Sequence, residues 1–109
     1  MNRSQAVITF LDAVETPVLG EQYFTNSKSE IMNIEISGTS TDFQIIFEGK
    51  VKEHWRPVMA VNLEDLSYST SASNFTGIWQ LSLIGLNFVR ISVVSIVNGN
   101  VTVVGRVVG

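Results

Sequence analysis

The sequence lacks cysteine, contains one histidine and two prolines, and only 16% of its 109 residues are charged. Without cysteine the chain forms no disulfide and offers no thiolate to a metal. Seven Lys and Arg residues against ten Asp and Glu residues give a formal net charge of −3, and the sequence shows no Lys/Arg cluster. Electrostatic binding to nucleic acid or to anionic lipid is therefore not expected.

Long apolar runs are also missing. No segment approaches the roughly 20 apolar residues of a membrane span. The N-terminal apolar stretch is interrupted by Thr9 and Asp12, which argues against a signal peptide. The 45% of hydrophobic residues nevertheless suffices for a buried core, and 109 residues are one domain's worth. The sequence predicts one globular domain over residues 1–109.

Alternation of apolar and polar residues is the main local pattern. Residues 31–37, 42–50 and 77–84 each alternate with the period of two that is typical of a half-buried strand. Turn signals recur about every 8 to 12 residues and no window has a helical period. The sequence thus predicts an all-β fold, a single antiparallel β-sandwich of about eight strands with jelly-roll or related topology. The predicted core is Ile34, Ile36, Phe43, Ile45, Phe47, Trp79, Leu81, Leu83, Val94, Ile96, Val101 and Val103.

Asn98 and Gly99 lie between two runs of β-branched residues near the end of the chain. Both residues tolerate the positive φ of a type I′ turn, so the pattern predicts a two-residue hairpin in which Ile96 pairs with Val101.

One face of that hairpin would carry an aliphatic patch, which predicts self-association or docking on a partner. The alternative is that the N-terminal strand or residues 19–29 cover this face within one molecule. The predicted interface residues are Val89, Ile91, Val93, Val104 and Val108.

Catalytic and metal-binding patterns are weak. His54 lies beside Glu53, but no nucleophile or acid partner stands at motif spacing, so a surface or structural histidine is the preferred interpretation. Asn62, Glu64 and Asp65 have oxygen ligands for Ca²⁺, yet the EF-hand spacing is absent. The sequence therefore predicts no catalytic, cofactor-binding or metal-binding residues, and no cofactor.

The aromatic residues offer a different kind of site. Trp55 and Tyr68 are candidates for stacking on a sugar ring, because an aromatic face suits the apolar side of a saccharide. Trp79 shares a face with Leu81 and Leu83, which favours a place in the core. A carbohydrate-binding module that uses Tyr68 or Trp55 is accordingly one functional hypothesis.

A series of short motifs resembles small β-sandwich domains of tailed bacteriophages. The motifs run through residues 43–109 and comprise Phe47-Glu48-Gly49, Trp55-Arg56-Pro57-Val58, Gly77-Ile78-Trp79, Val89-Arg90 and Gly99-Asn100-Val101-Thr102-Val103. Related domains occur in tail fibres, baseplates and receptor-binding proteins. The resemblance implies a non-enzymatic structural or adhesion protein, placed in the virion tail or, before assembly, in the host cytoplasm. It also implies other virion proteins, a second copy of the chain or a host-surface saccharide as partners.

Overall fold

The computed structural model describes residues 7–25, 30–74 and 76–108. In these ranges the chain forms eleven β-strands and no helix, so no described segment is a helix able to cross a membrane. The strands are β1 Val7–Val14, β2 Tyr23–Phe24, β3 Ile31–Gly38, β4 Phe43–Lys50, β5 Arg56–Pro57, β6 Ala60–Asn62, β7 Tyr68–Ser69, β8 Ser71–Ser73, β9 Gly77–Ser82, β10 Phe88–Ile96 and β11 Val101–Val108.

The strands form two antiparallel sheets that pack face to face. One sheet has six strands in the order β1-β11-β3-β9-β6-β7, and the other has five, in the order β2-β10-β4-β5 with β8 also paired to β4. The predicted all-β sandwich is confirmed. There are eleven strands in the described ranges and not about eight, because β2, β5 and β7 are two-residue strands that no period-2 pattern reveals.

The core lies between the inner faces of the two sheets. Alternation places Met32, Ile34 and Ile36 of β3 inside, each no more than 1% exposed, and β4 faces them from the other sheet. The rings of Phe47 on β4 and Trp79 on β9 join the sheets directly, with centroids 5.3 Å apart. Ten of the twelve predicted core residues are buried. Large apolar side chains on both inner faces therefore hold the sandwich together.

The predicted hairpin at Asn98-Gly99 is wrong, because β10 and β11 lie in different sheets. β10 pairs with β2 and β4, whereas β11 pairs with β1 and β3. Residues 97–100 thus cross from the five-stranded sheet to the six-stranded one, and residues 39–42, between β3 and β4, cross beside them in the opposite direction. The predicted type I′ turn is not formed either, because Gly99 has a positive φ but Asn98 does not. Asn98 instead binds the neighbouring connection.

Hydrogen bonds hold the two crossings together. The Asn98 side-chain carbonyl accepts from the Ser40 hydroxyl at 3.2 Å and from the Thr41 amide at 2.9 Å. The Asn100 carbonyl accepts from the amides of Thr39 and Ser40, both at 3.0 Å. Gly99 has φ +61°, and a Cβ built on it would lie 2.6 Å from the Ser40 nitrogen. Glycine is required here by a close backbone approach as well as by its dihedral angle.

The wrong pairing also reversed the predicted faces of β10. Val89, Ile91 and Val93 point into the core, each at most 2% exposed. Val94 follows Val93 and points to the opposite, outer face, where it is 45% exposed, so its prediction as a core residue is wrong. A register shift between Val93 and Ser95 makes Val94 the extra residue of a bulge, which turns Ile96 back toward the core side. Ile96, beyond the bulge, is half-buried and packs against the core.

The predicted interface does not exist as one surface. Its three β10 members, Val89, Ile91 and Val93, fill the core, while Val104 and Val108 lie on the outer face of the six-stranded sheet. Residues 18–24 run beside β10, but they do not cover its face as the alternative prediction for residues 19–29 has it. They extend the sheet through backbone pairing: Val18 exchanges backbone hydrogen bonds with Val93, and Tyr23 pairs with Val89.

Candidate functional site

The outer face of the five-stranded sheet carries a compact group of cationic and aromatic side chains. Register places Phe24, Phe88 and Lys50 in one row across β2, β10 and β4, and the next row pairs Arg90 with Glu48. Trp55, in the loop before β5, reaches the same face. This group is called the cation–aromatic cluster and comprises Phe24, Glu48, Lys50, Trp55, Phe88 and Arg90.

Trp55 is the centre of the cluster. The Arg90 guanidinium carbon lies 4.2 Å from the centroid of the Trp55 ring, and the Lys50 ammonium lies 4.8 Å from it. Arg90 also donates from Nε to the Glu48 carboxylate at 2.8 Å, with both side chains about 15% exposed. Cation–π and ion-pair contacts thus fix Trp55 and Arg90 against each other. Of the two predicted stacking rings, Trp55 is therefore already engaged by protein cations.

Phe88 extends the cluster toward the edge of the sheet. Its ring centroid lies 5.1 Å from the Lys50 ammonium and 5.2 Å from the centroid of Phe24. Phe24 itself is 54% exposed. The cluster therefore presents an aromatic edge beside fixed positive charge, a combination suited to a ligand with an anionic group and an apolar part.

The loop that carries Trp55 is held by the connection between β9 and β10. The Asn87 amide donates to the Lys50 carbonyl at 2.9 Å, and the Asn87 side chain donates to the Val51 carbonyl. Two exposed aliphatic side chains, Val51 and Ile84, stand on these adjacent loops at 60% and 63% exposure. The two loops consequently form one end of the sandwich.

Positive charge is concentrated at this end. Lys50, Lys52, Arg56 and Arg90 are four of the seven Lys and Arg residues of the chain, and three of them line or adjoin the 51–55 loop. The expectation that the chain has no Lys/Arg cluster is wrong, because β10 brings Arg90 beside a segment 40 residues earlier in the chain. The overall charge of −3 hides this basic region.

A depression of about 300 Å³ opens beside the cluster, at the end of the sandwich. It is called the end depression. Its floor includes Val58 and Leu86, which close over Gly49, since a Cβ at Gly49 would lie 2.8 Å from a Leu86 methyl carbon. Its rim is polar and charged, formed by Lys50, Lys52, Glu53, His54 and Arg56. His54 thus lies at this rim, as an exposed side chain.

Tyr68 lies elsewhere. It is 67% exposed on β7, the edge strand of the six-stranded sheet, where it pairs with Val61. Trp55 lies on the outer face of the five-stranded sheet, so the two predicted stacking residues belong to different sheets.

The acidic turn after β6 has a structural explanation. Asn62 Oδ1 accepts from the Glu64 amide at 2.9 Å, and Asp65 Oδ1 accepts from the amide and hydroxyl of Ser67 at 2.9 and 2.7 Å. The bond from the Ser67 hydroxyl, and to a smaller extent the bond from the Ser67 amide, hold the pKa of Asp65 below its ordinary value. Over residues 7–25, 30–74 and 76–108, no three His, Cys, Asp or Glu side chains are grouped closely enough to hold a metal.

Comparison with known proteins fixes the family. The sequence model of XepA matches residues 4–107. The chain belongs to the XepA family. No curated protein matches its sequence.

Two solved structures share the fold of this XepA-family chain. The SPBc2 prophage-derived protein YomS has a TM-score of 0.89 at 29% identity, with 97% of this chain and 94% of YomS covered. The PBSX exported protein XepA has a TM-score of 0.89 at 20% identity, and the aligned part covers 96% of this chain but 38% of XepA. Both are prophage proteins, so the phage setting implied by the sequence motifs is confirmed at the level of the family.

Proposed function

We propose that this XepA-family protein is a non-enzymatic structural or adhesion protein of a phage, a tail or baseplate component or a relative of receptor-binding domains. The observation that carries the proposal is the cation–aromatic cluster, a fixed charged surface on the outer face of a rigid sheet. Its partners are other virion proteins, further copies of this chain or a saccharide of the host surface. Its location is the virion tail or, before assembly, the host cytoplasm.

The arrangement of polar groups supports a binding role. The Arg90–Glu48 pair and the two cation–π contacts order side chains before any ligand arrives, so little side-chain entropy is lost on binding. Polar groups elsewhere have structural uses, as in the Asn98 contacts between the crossings and the Asp65 turn. These features suit a surface that adheres to another molecule.

The structural role is tested in phage particles. After induction of the phage, particles are purified on a density gradient and their proteins are quantified by mass spectrometry. We expect this chain to co-purify with tail proteins at a fixed stoichiometry. Its presence only in the particle-free supernatant, with the tail proteins recovered intact, would contradict a virion role.

A free carbohydrate-binding module is the second candidate function. It is favoured by the exposure of Tyr68, 67% on an edge strand, since an aromatic ring that is left open to solvent can stack on a sugar. On a glycan array, saturable binding that is lost in Tyr68→Ala and kept in Trp55→Ala would support this module. Loss in Trp55→Ala alone would place adhesion at the cation–aromatic cluster.

A further inference from the structure

We propose that the end depression is a binding site for a phosphate ester, with the phosphate on its cationic rim and the organic substituent on its apolar floor. This inference rests on the proposed adhesive function and names the chemistry of the ligand. No catalytic step is involved.

The rim has the charge that such a ligand requires. Lys50, Lys52 and Arg56 line the depression, with Glu53 the single acidic side chain among its lining residues. A tetrahedral phosphate has several acceptor oxygens and can accept hydrogen bonds from more than one cation at once, and arginine binds it through two parallel N–H bonds. The rest of the molecule is acidic on balance, so an anion is steered toward this end.

The rim is also positioned by the fold. Arg56 lies on β5 directly opposite Gly49 of β4, so its side chain starts above a position that has no side chain of its own. Lys50 borders the depression from the cation–aromatic cluster, where its ammonium lies 4.8 Å from the Trp55 ring centroid and 5.1 Å from that of Phe88. Two of the cations therefore belong to paired strands, and only Lys52 stands on a loop.

The floor distinguishes a phosphate ester from a bare anion. Val58 and Leu86 are half-buried and pack against the core, yet both line the depression. Its volume of about 300 Å³ exceeds what one phosphate group fills. A small organic substituent would cover this apolar surface and remove it from water, which favours binding.

Binding of a soluble probe is the first test. The protein is titrated with sn-glycerol 3-phosphate, with inorganic phosphate and with glycerol, and amide shifts are followed by NMR. We expect glycerol phosphate to bind more tightly than phosphate and glycerol not to bind. Arg56→Ala and Lys52→Ala should each weaken binding threefold to tenfold, whereas Arg106→Ala, which removes an exposed cation from the other sheet, should leave it unchanged.

The same phosphate ester chemistry is found in phospholipid headgroups, so a second arm uses vesicles. Co-sedimentation with phosphatidylglycerol vesicles that is lost in Arg56→Ala, without co-sedimentation with phosphatidylcholine, would assign the site to a lipid headgroup. Binding of glycerol phosphate without vesicle binding would assign it to a soluble phosphate ester. Both results support the site.

Three results would overturn the inference: no binding in either arm, equal affinity for phosphate and glycerol phosphate, or equal weakening by Arg56→Ala and Arg106→Ala. Failure here is distinct from failure of the proposed function. A protein that is incorporated into phage particles but ignores phosphate esters would keep its structural role and lose this site. A protein that binds phosphate esters but is absent from phage particles would keep this site and lose the proposed structural role.

Discussion

Val93→Glu is expected to abolish folding. Val93 is 2% exposed and faces the core from β10, opposite Ile45. The substitution removes a buried valine, worth about 1.5 to 3 kcal/mol, and places an unpaired carboxylate in the core, which costs several kcal/mol more. Together these costs reach the roughly 5 to 15 kcal/mol that stabilise a typical domain. Circular dichroism and a thermal melt should show no cooperative unfolding transition.

Val94→Glu is the matched control. Val94 is the next residue along the strand and points to the opposite face, where it is 45% exposed. Its substitution by Glu should lower the free energy of unfolding by less than about 1 kcal/mol, as surface substitutions usually do. Two variants with similar melting temperatures would contradict the faces assigned to β10. If the protein is an oligomer and Val93→Glu converts it into a folded monomer, Val93 lies in an interface and not in the core.

Gly99→Ala is expected to destabilise the protein by about 2 to 5 kcal/mol. Alanine at φ +61° costs about 1 to 2 kcal/mol, and its Cβ would lie 2.6 Å from the Ser40 nitrogen and 2.7 Å from the Thr39 carbonyl carbon. These are backbone atoms of the neighbouring crossing, so they cannot move aside as a flexible side chain does. The midpoint of urea unfolding measures the loss.

Gly85→Ala separates the two contributions. Gly85 also has a left-handed backbone, with φ +83°, but nothing lies within 4 Å of a Cβ built on it. We expect its substitution to cost only the dihedral strain, about 1 to 2 kcal/mol. If residues 97–100 were the exposed hairpin turn that the sequence suggests, Gly99→Ala would cost no more than Gly85→Ala. Equal losses would therefore contradict the packing of the two crossings.

The layers of this fold could be predicted from the sequence, because alternation reports which side chains a strand buries. Ile34, Ile36 and Phe47 were placed correctly for that reason. Pairing across the Asn98-Gly99 turn could not be predicted, since the local signal specifies a tight turn and not the sheet that the next strand joins. The bulge at Val94 has no residue signature in the sequence either.

The candidate site was only partly predictable. Trp55 was recognised as an aromatic candidate, but its partner Arg90 belongs to a distant strand and nothing in the linear sequence joins them. The net charge of the whole chain does not reveal the basic end of the sandwich. The available signal is the presence of three cations, Lys50, Lys52 and Arg56, within residues 50–56. Only the pairing of β4 with β10 adds Arg90 to these three cations.

The proposed adhesion surface is tested most directly by mapping its contacts with host cell-wall fragments. Isotope-labelled protein is titrated with soluble fragments of the host cell wall, and shifts of backbone amides and of the Trp55 indole are recorded. The account predicts that the largest changes fall on Lys50, Trp55 and Arg90, on the outer face of the five-stranded sheet. Changes confined to Tyr68 and Val61, on the six-stranded sheet, would contradict it.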